Sequence, residues 1–409
     1  LCIGLISDAM RKYLSLLFAI FTQTLFAQIA PGTWHGELIL HDTLSLPFNF
    51  EVRGQTATII NAEERIDATI SQMKSDSILI RLPDFDAELH VKQTQDVLTG
   101  EFFNLSRNEK NIIPFRGTAN TGYRFSDKPE KTSLNISGRW KSKFDGEDEE
   151  NKFSIGIFKQ EGNRVTGTFL TNTGDYRYLE GEMSGNHLSL STFDGAHAYL
   201  FTADIVNNEI VNGHYFSGLH WHDTWTAVRD ENYKLQDERS FSHLNPGYKK
   251  VEFTFPDING KKVSLSDKEF KNKIVIVQIM GSWCPNCLDE TRFLSDWYNK
   301  NDPKDVRIIG LDYEKITDST VAHKNIRRLI DRYNVKYPIL FAGSSNRELA
   351  SKTLPMLNKI FAFPTTIYID KNGTVREIHT GFNGPATGEY YEEFKKNFEK
   401  LIKDMQAKK

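Results

Sequence analysis

Cys284 and Cys287, with two residues between them in G-S-W-C-P-N-C at 281–287, are the side chains with the most definite chemistry in this sequence. An apolar run, K-I-V-I-V-Q-I-M at 273–280, leads into them. A helix-like stretch through Leu288, Phe293, Leu294, Trp297 and Tyr298 follows. The run reads as a buried central strand. A cysteine at the start of the next helix faces unpaired backbone N–H groups and the positive end of the helix dipole. Both lower its pKa and favour the thiolate, which is the attacking species. Two intervening residues place Cys287 within reach, so it can resolve a mixed disulfide formed on Cys284. Pro285 suits a first helical turn, where a missing N–H costs nothing. Trp283 covers the outer cysteine and shapes access to it.

Other uses of the pair fit less well. A structural zinc site needs two further Cys or His ligands, and the third cysteine is Cys2, far away near the start. Haem attachment needs His directly after the pair, where Leu288 stands. A purely structural disulfide remains open. Elsewhere His187, His197, His214, His220 and His222 cluster in sequence, and His220 and His222 flank Trp221 as two strand ligands would. No cysteine or acid at ligand spacing joins them, so neither a metal site nor a cofactor is expected.

The elements that must hold the pair alternate strand with helix. A second buried strand is expected at 306–311 and a helix at Ser319–Tyr333 with Val321, Ile326, Leu329 and Ile330 as its stripe. Strands follow at 337–341 and Thr365–Ile369, then a D-K-N-G turn at 370–373 into a strand at 374–378. A last helix at 388–405 lines up Tyr391, Phe394, Phe398, Leu401, Ile402 and Met405.

Residues 30–230 instead alternate with period two, as in 77–82, 153–158 and 165–170, which reads as antiparallel strands. This half repeats itself. G-T-W-H-G-E-L at 32–38 answers G-R-W-K-S-K-F at 138–144, the stretch from Asp76 answers that from Asn186, and L-T-G-E-F-F at 98–103 answers V-N-G-H-Y-F at 211–216. The expected organisation is two β-rich modules, barrels or sandwiches, at 28–127 and 134–229, then a polar linker at 230–247 and an α/β domain at 248–409. Across 409 residues, 51 Lys and Arg against 54 Asp and Glu leave a net charge of −3, which excludes the basic footprint of a nucleic-acid binder. Three cysteines exclude a disulfide scaffold.

Near the start, Arg11 and Lys12 precede an apolar run that ends in a mixed stretch at Ala27. This pattern predicts a secretory signal peptide within 1–27, cut near Ala27, and hence an exported, periplasmic or cell-envelope protein without Cys2. The run is too short for the ~20 apolar residues of a spanning helix, so no stable membrane span is expected after its removal.

Residues from about 250 to 405 resemble the thioredoxin superfamily, in its exported TlpA-like and ResA-like branch of thiol-disulfide oxidoreductases. Three motifs carry the resemblance: F-P-D-I-N-G-K at 255–261, W-C-P-N-C at 283–287 and F-P-T-T-I-Y-I-D-K-N-G at 363–373. It implies a thioredoxin-like fold with Cys284 and Cys287 as a redox-active disulfide. It further implies that Pro364 is a cis-proline opposite the pair, whose preceding backbone at Phe363 pairs with a bound substrate strand. Glu290 matches the acid that members of this branch use near the active site, where it accepts or relays the proton of Cys287. Gln278 replaces the buried Asp of thioredoxin, which shifts proton management towards Glu290. Phe363 is bulkier than the usual residue before the proline and narrows the groove.

The resemblance implies an exported oxidoreductase, on balance a reductase, acting on protein disulfides and recharged by a membrane thiol-disulfide electron donor. The rival is a copper-handling or ligand-binding exported protein that uses the fold without turnover. Copper chaperones of the superfamily space their cysteines by three residues, against two here. A thiol peroxidase would carry a Thr-containing loop before its cysteine, where Gly281-Ser282-Trp283 stands.

Overall fold

The computed structural model describes residues 29–407 except 42, 74–75, 106–111 and 148–150. The expected signal peptide, its cut near Ala27 and Cys2 lie outside the described residues.

Strict alternation builds the first β unit. In β2 (Leu44–Arg53), Leu46, Phe48, Phe50 and Val52 all turn inward and are buried. Seven more strands accompany it: β1 (Gly32–His41), β3 (Thr56–Asn61), β4 (Glu64–Gln72), β5 (Ile78–Leu82), β6 (Ala87–Thr94), β7 (Val97–Asn104) and β8 (Ile112–Ala119). Each pairs with the next, and β1 pairs antiparallel with β8 from Trp34↔Ala119 to Leu38↔Phe115, so the sheet closes into a barrel. Between barrel and sandwich, that last pairing decides for the barrel.

The second unit repeats the plan with β9 (Gly138–Phe144), β10 (Phe153–Glu161), β11 (Arg164–Thr171), β12 (Gly174–Asp175), β13 (Leu179–Ser184), β14 (His187–Phe193), β15 (Ala198–Val206), β16 (Glu209–Ser217) and β17 (Trp221–Arg229). β9 pairs with β17, and β10 pairs with both β9 and β11, so this ring closes too, with two-residue β12 added on β11. The sequence echoes fall on the first, fifth and seventh strands of each ring. Trp34 and Trp140 are fully buried, and their indole N–H groups donate to Ala30 O at 2.9 Å and Ile136 O at 2.8 Å. Each copy thus holds one buried indole tied four residues back.

The histidines of the second barrel do not converge. His187 pairs with Asp204, His197 with Asp194, and His214 Nδ1 lies 3.0 Å from His222 Nε2. His220 sits in the turn before β17 rather than on the strand face with His222. Among the described residues no three His, Cys, Asp or Glu side chains are grouped to hold a metal ion.

The stretch 230–247 is largely exposed but is pinned to the α/β domain at its Phe241–Asn245 segment. Phe241 stacks on Phe361 at 4.4 Å, and Asn245 Nδ2 donates to Leu357 O at 3.0 Å. Beyond it come a small ribbon, β18 (Thr254–Pro256) and β19 (Lys262–Ser264), and a five-stranded sheet. That sheet runs β22 (Ile339–Ser344), β21 (Val306–Glu314), β20 (Ile274–Met280), β23 (Thr365–Ile369), β24 (Val375–Thr380). β20, β21 and β22 are parallel, β23 runs antiparallel to β20, and β24 antiparallel to β23, so β23 alone is reversed.

Every residue of β20 is buried, as a central strand covered on both faces requires. Ile274, Ile276 and Met280 face a core with α1 (Pro285–Asn301), α2 (Ser319–Tyr333) and α4 (Glu389–Ala407). Val275, Val277 and Ile279 face the other core, with α3 (Arg347–Thr353) and Val251 and Phe253. This is the thioredoxin-like arrangement, with the first parallel strand feeding the cysteine pair into α1. Among the described residues no helix is long and apolar enough to cross a membrane.

The barrels dock on this domain and on each other. Between them, Asn61 Nδ2 donates to Phe193 O at 2.9 Å, and buried Arg124 bonds Ser191 and Asn61. Asp84 of the first barrel accepts from Arg332 Nε at 2.7 Å and Tyr333 OH at 3.1 Å on α2.

Candidate active site

Cys284 is the N-cap of α1. Its backbone is extended (φ −101°, ψ 111°), Pro285 takes the first helical position, and the Cys287 N–H lies 3.3 Å from Cys284 Sγ. That N–H is one of the orphan donors of the helix start, and it points at the sulfur that becomes the thiolate on reduction. Cys284 and Cys287 form a disulfide. The two sulfurs are not equivalent: Cys284 keeps 6% exposure, and Cys287 has none.

The strand beneath supplies polar groups. Gln278, fully buried on β20, donates from Nε2 to Cys287 O at 3.2 Å and to Glu290 Oε2 at 2.8 Å. Its Oε1 accepts from Thr291 Oγ1 at 3.0 Å. Glu290 Oε1 accepts from Thr366 Oγ1 at 2.7 Å. Burial without a cation pushes the Glu290 carboxyl up to about 7, although the Thr366 and Gln278 bonds favour its ionised form. A carboxyl held near neutrality, one amide away from the inner cysteine, can give or take a proton under physiological conditions.

On the open side, the Phe363–Pro364 peptide is cis, and Cys284 Sγ lies 3.5 Å from Phe363 O. Trp283 and Phe363 are half-buried and meet edge to face at 5.7 Å. The Trp283 indole donates to Tyr313 O at 2.8 Å, and Lys315 Nζ sits 4.4 Å above its ring. Next to Trp283, the Ser282 N–H donates to Asp312 Oδ1 at 2.9 Å. Burial and the neighbouring Glu314 carboxylate raise the Asp312 pKa strongly. Gly381 N donates to Pro364 O at 2.8 Å, which brings the loop after β24 alongside the proline.

All six residues singled out in the sequence, Trp283, Cys284, Cys287, Glu290, Phe363 and Pro364, thus meet in one place. Several neighbours carried no sequence signal. Asn286, the second residue between the cysteines, donates from Nδ2 to Asp175 O of the second barrel at 3.2 Å. Asp289 on α1 is buried and accepts from Arg177 Nη1 at 2.5 Å. Arg177 also binds Glu64 of the first barrel and lies 3.2 Å from Asp194. The single guanidinium is shared among several buried acids, and desolvation raises the pKa of both Glu64 and Asp289 despite it.

A sequence model described as the AhpC/TSA family matches residues 246–378. The chain is similar to the thiol-disulfide oxidoreductase ResA of Bacillus thuringiensis, at 31% identity over 151 residues, 37% of this chain and 76% of that one. It is similar to the thioredoxin-like protein YneN of Bacillus subtilis at 23% identity over 138 residues, covering 34% and 73%. Among solved structures, a thiol-disulfide oxidoreductase from Bacteroides fragilis aligns at 21% identity, covering 36% of this chain and 99% of that one, with a TM-score of 0.26. Identity at the ResA level over most of that relative's length is kinship: the chain belongs to the ResA-like thiol-disulfide oxidoreductases of the thioredoxin superfamily.

Proposed function

We propose that this chain is an exported disulfide reductase with Cys284 as nucleophile and Cys287 as resolving thiol. The observation that carries the assignment of roles is the asymmetry of the pair: Cys284 caps the helix with residual exposure, whereas Cys287 is fully buried beside Gln278. In the reduced protein the Cys284 thiolate attacks one sulfur of a partner disulfide. A Cys284–partner disulfide forms and the partner's other sulfur leaves as a thiolate. Cys287 then loses its proton, with Glu290, three residues along α1, as the acceptor in this reading, and attacks Cys284 Sγ. The second partner thiolate departs, and the Cys284–Cys287 disulfide remains. The partner gains two electrons, and an external dithiol, membrane-held in this reading, returns them. Pro364 and the Phe363 carbonyl align the partner backbone, and Trp283 walls the entrance. The apolar run before Ala27 supports export.

Reduction of hydroxyethyl disulfide and of insulin disulfides by the full chain tests the reading. Cys284→Ala should abolish it, and Cys287→Ala should trap a mixed disulfide visible by mass spectrometry. Wild-type turnover by Cys284→Ala would remove the nucleophile. A measured reduction potential above that of the compartment's thiol pool would reverse the direction of exchange.

A further inference from the structure

The second barrel meets the cysteine motif, at Pro285 and Asn286, through the short segment Thr173–Arg177. Thr173 and Gly174 lie against Gly381, whose own Cβ, if present, would sit 2.8 Å from Thr173 C and 3.0 Å from its O. A Cβ on Gly174 would collide with Asn286 Nδ2 and come within 3.0 Å of Phe382 O. Gly174 has φ +140°, so glycine answers both the crowding and the backbone conformation there. The loop is stiffened internally, since Thr171 Oγ1 bonds Gly174 O at 3.0 Å and accepts from Thr173 N at 3.2 Å.

It is also latched. Asp175 Oδ2 accepts from Gly384 N at 2.6 Å, its carbonyl takes the Asn286 amide, and Arg177 grips Asp289 and Glu64. Two sides of Cys284 therefore differ. The side bounded by Asn286 and Gly381 is closed by another module of the same chain. The side bounded by Trp283 and Phe363 stays half open.

We propose that the loop Thr173–Arg177 is a specificity element, held down by the Arg177 cluster, that restricts partners to disulfides in extended, flexible chain entering along Trp283 and Phe363. A disulfide on a rigid folded surface needs clearance on both sides of the attacked sulfur, and the loop occupies one of them. The discrimination is steric exclusion, so it acts on shape and leaves the chemistry of the pair unaltered. Arg177 is a positioning residue here: it touches no partner and acts through the loop.

This inference rests on the oxidoreductase reading above, and its test separates the two. Exchange by the full-length protein is measured with hydroxyethyl disulfide, a glutathionylated unstructured peptide and insulin. Arg177→Met removes the ion cluster from the latch, and Gly174→Ala wedges the loop away while leaving that cluster in place. Amide hydrogen exchange across 171–178 reports opening. We expect either variant to exchange those amides faster and to raise the insulin rate ~10-fold or more, with the two unhindered substrates changing less than ~2-fold and the reduction potential fixed. Should one variant fail to fold, the other decides.

An open loop with an unchanged insulin rate overturns the inference, as does a parallel shift for all three substrates. A loop that stays closed in both variants also overturns it, because the latch would then not be what holds it. Loss of none of the three activities in Cys284→Ala would instead sink the oxidoreductase reading.

Discussion

Replacing Glu290 by Gln isolates the proton that the proposed mechanism needs. The swap keeps shape and bonding: the new amide oxygen can accept from Gln278 Nε2, and the new NH2 can donate to the Thr366 hydroxyl, which rotates to accept. What disappears is the ionisable group. A carboxyl raised from 4.5 to about 7 binds its proton more tightly in the native state than in the unfolded chain. Its stabilising effect is therefore complete below pH 4.5, declines as pH rises through the window from 4.5 to about 7, and is gone above it. Over that window the ionisation costs the wild type ~3 kcal/mol that the variant never loses.

Chemical denaturation of the oxidised protein at a series of pH values reads this directly. Glu290→Gln should equal wild type at pH 4 and exceed it by ~2–3 kcal/mol at pH 8. In the reduced protein the same change should slow resolution of the mixed disulfide by ~100-fold and erase the inflection near pH 7. Stability curves for the two proteins that stay parallel from pH 4 to 8 would refute the claim that burial raises this carboxyl, and with it the assigned role.

Three further outcomes follow from the same geometry. Gln278→Leu removes a donor that favours the Glu290 carboxylate, so the inflection in the exchange rate should move to higher pH; a downward move contradicts the hydrogen-bond account. Asp312→Asn keeps an oxygen for the Ser282 N–H and removes a charge that burial disfavours, so stability should hold or rise, whereas Asp312→Ala orphans that N–H and should cost ~1–3 kcal/mol by denaturation. Trp140→Ala empties the centre of the second barrel and should cost it ~3–5 kcal/mol, measured as a lower calorimetric transition; a loss below ~1 kcal/mol would mean that Trp140 does not hold that core together.

The local parts of the site were readable because their signals are local. A continuous apolar run demands a strand buried on both faces, and Cys-Pro at its end demands a helix start, so β20 and α1 follow from adjacent residues. The bounds of Ser319–Tyr333 and Thr365–Ile369 coincide with the expected ones. The strand expected from Tyr337 begins instead at Ile339, because Pro338 has no N–H and contributes only its carbonyl, which accepts from Gly310 N. α3 left no trace, since of its seven residues only Ala350 is buried. Alternation along the β strands is the same in barrels and sandwiches, and only the distant β1–β8 pairing distinguishes them. The burial of Glu290 carried no signal because a carboxylate on a helix reads as solvent-facing, and the buried face of α1 mixes Leu288 and Leu294 with Asp289, Thr291 and Ser295. The contacts of Arg177 join residues far apart in sequence, and no periodicity reports such a meeting.

Tandem rings of one design create an assembly hazard. Each must wait for its eighth strand before its first can be paired on both sides, and meanwhile the corresponding strand of the neighbour is a plausible impostor. The two copies differ where that matters. The register shift of the first ring falls in β1, between Ile39 and His41. In the second ring the shifts fall between Thr202 and Asp204 and between Ile210 and Gly213, late in the strand order. A strand exchanged between rings would carry its kink to the wrong place and turn its large residues to the wrong face. These irregularities distinguish the two copies strand by strand, and the segment that meets the cysteine motif belongs to the second.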